Sequence, residues 1–200
     1  MKRKLVILGM AALSFASCQK NVSGIVSTIT GKNETATSAN FVKYTIAKGA
    51  QYCDKNTFAA VNYDQLAFVV KFDSSAIYKT VNPANQNDIN KLYGFSDNDA
   101  DHHQYSARFG WRWSNNALRL FGYIYNKGVM SYKELGTVAI GTENSCSIKV
   151  TSGAYIFTLN GKSQSMPRLS TSIKGSGYKL YPYFGGDEIA PHAISIWIKE

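Results

Sequence analysis

Three regimes of hydrophobic patterning divide the 200-residue chain. Leu5–Phe15 is a continuous apolar run behind the basic stretch Met1–Lys4. Residues 19–40 are rich in Ser, Thr, Asn and Gly, carry no aromatic residue and show no sustained period, so they cannot bury enough surface to order themselves. From Phe41 to Glu200 short β-branched and aromatic runs alternate with Gly, Asn, Asp and Ser. Strands are predicted over 41–47, 65–72, 106–113, 117–126, 130–138, 146–151, 155–159, 178–184 and 193–199. Asn82–Asn90 has room for one helical turn; Pro83 and the asparagines argue against more. Many short strands at hairpin spacing predict an all-β, two-sheet antiparallel sandwich or jelly roll over 41–200.

The turns carry their own signals. Ser152-Gly153 separates Ile148–Val150 from Tyr155–Leu159, and Asn160-Gly161 suits a type I′ turn because both positions tolerate positive φ. The run Ser147–Val150, hairpin, Tyr155–Lys162 resembles the paired strands and Asn-Gly-Lys turn of concanavalin A-like and laminin-G-like jelly rolls. The resemblance covers about the last sixty residues and implies a fold, not an activity.

At the other end, a basic n-region, an eleven-residue apolar segment and a small pair, Ala16-Ser17, form a secretory signal design. That segment is too short to span ~30 Å of hydrocarbon. Phe15-Ala16-Ser17-Cys18 resembles the bacterial lipobox, with Phe in place of the commoner Leu. The resemblance implies cleavage after residue 17 and acylation of Cys18, hence membrane attachment through lipid. Two or more acyl chains at ~0.8 kcal/mol per buried CH₂ anchor stably. The expected protein is an exported lipoprotein of the cell envelope, at the outer membrane, with residues 18–40 as tether.

Cleavage changes two counts. The formal charge of +9 becomes +6 once Lys2, Arg3 and Lys4 are gone, which does not suggest nucleic acid as partner for an exported protein. Of three cysteines, Cys53 and Cys146 remain. They are either a disulfide, contributing on the order of 4–5 kcal/mol across its long loop, or two separately buried thiols.

Strand alternation assigns faces. Ala107, Phe109, Trp111 and Trp113 point one way; Ser106, Arg108, Gly110 and Arg112 point the other. Leu118, Leu120, Gly122 and Ile124 likewise oppose Arg119, Phe121, Tyr123, Tyr125 and Lys127. A hairpin at Ser114–Ala117 then sets Arg112 against Arg119, Gly110 against Phe121, and Arg108 against Tyr123. Two facing arginines repel, so something acidic should sit between them. Aromatic rings stack on the C–H faces of sugars, and arginines clamp carboxylate or sulfate. Arg108, Arg112, Arg119, Tyr123, Tyr125 and the outward Trp197 are therefore the candidate residues for an anionic glycan. The alternative is an ordinary solvated sheet face of a structural or adhesive envelope protein.

An enzyme reading is narrower. Arg108-Phe109-Gly110-Trp111-Arg112 is similar to the Arg-x-x-x-Arg strand of alginate-lyase-like jelly rolls, and Tyr181–Gly185 to their tyrosine strand. That resemblance implies β-elimination on uronate polymers. Arg108 or Arg112 would neutralise the carboxylate and Tyr123, Tyr183 or His103 would take the proton. No Gln-x-His strand completes the pattern, and the scattered glutamates do not suit a retaining glycosidase. Asp97, Asp99 and Asp101 have calcium-loop spacing but lack the Gly and Glu of an EF-hand. His102 and His103 would diverge on an extended chain, so no metal or other cofactor is expected beyond that calcium candidate.

Overall fold

Over the described residues, alternation along the chain is realised as pleat in twelve strands. The computed structural model describes residues 40–200. The signal segment, Cys18 and the tether through residue 39 lie outside the described residues. The strands are β1 (Val42–Ile46), β2 (Ala60–Tyr63), β3 (Gln65–Phe72), β4 (Asn90–Ser96), β5 (Tyr105–Ser114) and β6 (Ala117–Asn126). They continue with β7 (Val129–Val138), β8 (Glu143–Thr151), β9 (Ala154–Leu159), β10 (Lys162–Pro167), β11 (Gly175–Leu180) and β12 (Ile194–Lys199). One six-stranded sheet runs β1-β12-β3-β8-β9-β10 and the other β2-β11-β4-β5-β6-β7, with all strand pairs antiparallel. The single helical turn expected near residue 82 is a 3₁₀ turn at Pro83–Asn87, capped by the Asn82 side chain.

The two sheets meet on an aromatic layer. Phe68 and Phe157 of one sheet pack edge-on against Phe109 of the other, each 5.4 Å between centroids. Phe72 reaches Trp111 across the same layer at 5.6 Å. Offset and edge-to-face rings fill such space without the repulsion of stacked faces. Ala107, Phe109, Trp111, Leu118, Leu120 and Ile124 are all fully buried, as their alternation required.

Two-residue turns fix the register. Asn115 and Asn116 both adopt positive φ between β5 and β6, as do Asn160 and Gly161 between β9 and β10. The resulting pairs are Arg112 with Arg119, Gly110 with Phe121, and Arg108 with Tyr123. It is Ile89, however, that crowds Gly110: a Cβ there would lie 2.5 Å from the Ile89 side chain.

Cys53 and Cys146 are both free and buried. Cys53 bridges to Ile46 outside β1, while Cys146 sits on β8 beyond β12 and β3. Four strand spacings of ~4.8 Å part them, whereas a disulfide requires Cα atoms within ~7 Å. Burial raises both thiol pKa values, which keeps them protonated.

Candidate functional site

Over β4, β5 and β6 the outward face of the second sheet is not a solvated surface. Lys91 stands opposite Gly110, and Arg108 opposite both Gly94 and Tyr123. A bulge between Lys91 and Tyr93 lets Leu92 and Tyr93 both enter the core while Lys91 stays outside it. Loops close over this face. Tyr52 and Phe58 come from the β1–β2 segment, His102 and His103 from the turn before β5, and Tyr183 from the segment after β11. Tyr183 extends the sheet, exchanging backbone hydrogen bonds with Lys91 at 2.8 and 3.0 Å. The result is a cavity of about 440 Å³, within the size range of small-molecule sites.

Arg108 lies at its base and is only 6% exposed. Its Nε has no hydrogen-bond partner, and no ion pair among the described residues includes it. Its guanidinium stands 5.5 Å from the Tyr123 ring centroid. Desolvation pushes its pKa down to about 10, while the hydroxyls of Tyr123, Tyr125, Tyr178 and Tyr183 partly oppose that fall. It remains a cation at neutral pH. No carboxylate lines the cavity among the described residues. A buried cation with an unpartnered nitrogen normally carries a heavy penalty, so its geometry suits an anion brought from outside.

A second pair borders the same cavity. The Tyr178 hydroxyl lies 2.7 Å from His102 Nδ1 and accepts the His102 backbone N–H at 3.1 Å. Burial, then the charges of Arg108 and His103, hold the His102 pKa below its ordinary value. Burial raises that of Tyr178. At neutral pH the pair is therefore a neutral imidazole facing a protonated phenol.

Comparison with known proteins bears on the fold. No protein-family model matches the chain, and no curated protein matches it. Among solved structures, alginate lyase AlyC3 superposes with a TM-score of 0.51 at 9% identity, covering 79% of this chain and 72% of that one. The same enzyme in complex with dimannuronate also gives 0.51 at 9% identity, covering 79% and 71%. Alginate lyase AlgAT5 from polysaccharide lyase family 7 gives 0.45 at 13%, covering 80% and 75%. The fold is a jelly roll. At such identities the likeness reaches no further than that.

The sequence-predicted residues divide within this jelly roll. Arg108, Tyr123, Tyr125, Tyr183 and His103 all line the cavity. Arg112 and Arg119 share the face but are spent elsewhere. Arg112 donates to the Asn87 carbonyl at 2.7 Å and lies over Phe121, while Arg119 pairs with Glu134 at 2.8 Å. Glu134 is thus the acid that the facing arginines required. Trp197 belongs on the other sheet, where Lys43 covers its ring, and must be struck from the site.

The three aspartates at calcium-loop spacing are divided among different partners. Asp97 is fully buried and paired with Arg168 at 2.7 Å, Asp99 accepts from Ser176, and Asp101 faces His102 and His103. The three carboxylates serve separate partners. The histidines do not diverge either: residues 102–104 turn, and the two rings lie 4.1 Å apart. With Asp101 they place donor atoms within 4.8 Å of one another, a set better suited to a metal than the three aspartates. Lys91, Tyr52 and Phe58 escaped sequence reasoning, while His102 was weighed only as a metal ligand and Tyr178 only as a strand residue. They come from four separate segments, which no local pattern in the sequence brings together.

Proposed function

We propose that the cavity binds an acidic polysaccharide through the carboxylate of a uronate residue, and that the protein does so at the cell envelope. The observation that carries this reading is Arg108, a buried cation at the base of a tyrosine-walled cavity in which, among the described residues, it has no anionic partner and no carboxylate lines the wall. Tyr52 and Phe58 stand 66% and 78% exposed at its rim, giving ring faces on which neighbouring sugars can stack. AlyC3, which shares the fold, has been captured with dimannuronate. Titration of the domain with oligomannuronate and oligoglucuronate should show binding, and neutral cello-oligosaccharides none. Equal binding of both kinds, or of neither, overturns the reading. Truncating the rim in a Tyr52→Ala, Phe58→Ala double variant should weaken a hexasaccharide more than a disaccharide.

The His102–Tyr178 pair favours a second reading, β-elimination on the same ligand. The C5 proton passes to Tyr178 as its hydroxyl proton moves to His102 Nδ1; Tyr178 then gives the abstracted proton to the departing O4 and regains its own from His102, leaving a C4=C5 double bond and the pair in its starting state. Arg108 would stabilise the charge that builds on the carboxylate. A rise in absorbance near 235 nm that Tyr178→Phe abolishes would establish this activity; binding with no rise leaves a lectin-like protein.

Envelope attachment follows from Cys18. Metabolic labelling with palmitate should mark the wild type and not Cys18→Ala; equal labelling overturns the anchor.

A further inference from the structure

The cavity holds a second cation that the Arg108 reading does not use. Lys91 is half-buried, and its ammonium lies 5.2 Å from the centroid of the same Tyr123 ring that Arg108 approaches. Its hydrogen-bond partner is a neutral carbonyl, Gly185 O at 3.2 Å. The groups around it are Arg108 from β5, Tyr123 from β6, Tyr183 after β11, and Asp88 ahead of β4. Asp88 is turned toward the backbone of the 186–187 segment, within 3.4 Å of the Asp187 N–H. Two cations gathered on one ring, with no carboxylate in the cavity among the described residues, repel each other until an anion joins them.

We propose that Lys91 and Arg108 grip the ligand's carboxylate from two sides, and that binding is coupled to uptake of a proton by Lys91. This rests on the anion-binding reading of the cavity. Burial, and after it the charge of Arg108, bring Lys91 down to about 8, with Asp88 opposing. The sign follows directly. Below that pH the lysine is already charged and greets the anion at full strength. Above it, a proton must first be taken from solvent, so affinity falls as pH rises. The neighbouring groups stay silent in this window: His102 is held below its ordinary value, and burial raises Tyr123, Tyr178 and Tyr183.

Calorimetric titration with tetramannuronate at pH 8, in phosphate and in Tris, reads the proton directly. Wild type should take up about half a proton per ligand and weaken about tenfold between pH 7 and pH 9. Lys91→Met should bind more weakly, take up none and show a flat profile, whereas Lys91→Arg should stay tight to pH 9. In the free protein, the ¹³Cε resonance of Lys91 should titrate with a midpoint of about 8. Tight binding with a flat wild-type profile overturns the coupling and leaves the anion-binding reading of the cavity intact. A ¹³Cε midpoint near the ordinary 10.5 overturns it without any ligand. Absence of binding at every pH rejects the coupling and the anion-binding reading of the cavity together.

Discussion

Asp97→Asn should cost the sandwich about 3–5 kcal/mol, the penalty of breaking a buried ion pair from one side, and lower the thermal midpoint by on the order of 10 °C. Asp97 follows β4 and is wholly buried. Its carboxylate accepts from Arg168 Nε and Nη2 at 2.7 and 3.1 Å, and from the Tyr155 hydroxyl at 2.5 Å. It also takes the Asn98 and Ser176 backbone N–H groups at 2.7 and 3.2 Å. Arg168 in turn holds Ser170, Ser172 and the Lys174 carbonyl, which secures the whole 168–174 connection. An asparagine turns one acceptor into a donor facing donors, and leaves the guanidinium buried and unpaired.

The same node sets an acid limit. Burial alone would raise the Asp97 pKa, but hydrogen bonds from Arg168, Tyr155 and Asn98 hold it below the ordinary carboxylate value. Its contribution is therefore complete above that ordinary value and is lost as pH falls through the depressed one. Urea unfolding of wild type and variant at pH 7 measures the effect, and a difference below about 1 kcal/mol would show that the pair is not what holds this end of the fold. An Asp97→Leu, Arg168→Met double variant should recover part of the loss, since apolar replacements remove both desolvation costs.

That node shows where sequence reasoning stops. The spacing of Asp97, Asp99 and Asp101 is visible along the chain; Arg168, seventy-one residues away, is not. Local alternation did specify the β5–β6 hairpin, because asparagines at both turn positions and apolar residues on one face leave a single register. β3 and β6 were legible to the residue for the same reason. β10 was not: Lys162–Pro167 is a polar edge strand with Met166 alone buried, so its period carries no hydrophobic signal. β4 was hidden by its bulge, and β2 by having only four residues. The strand expected over 178–184 ends at Leu180, and only Tyr183 rejoins the sheet. Alternation also tells which face a residue takes but not which sheet it joins, and Trp197 was misplaced on that account. The site inherits these limits: residues on one hairpin could be grouped in advance, and those brought in by other segments could not.

Arg108→Met should abolish most ligand binding and, unusually for a buried site, make the protein more stable. The two effects have one cause. In the free protein the guanidinium is desolvated with its Nε unpartnered, and the Tyr123 ring and surrounding tyrosine hydroxyls offer only partial compensation. Methionine fills a similar volume without a charge, so removal of the desolvation cost should outweigh the lost cation–π contact, for a net gain of about 1–2 kcal/mol. In the complex the balance reverses. A desolvated charge pair truncated on one side loses about 2–5 kcal/mol, so affinity for an oligouronate should fall on the order of a hundredfold or more. Arg108→Lys should lie between, keeping the charge but losing the planar fork that meets a carboxylate with two bonds. Thermal unfolding and titration on the same three proteins decide the matter. If Arg108→Met unfolds at a lower temperature and binds as wild type does, the arginine is a structural element and the cavity is not an anion site. A higher midpoint with lost binding is what a fold gives up in stability to keep a cation waiting for its ligand.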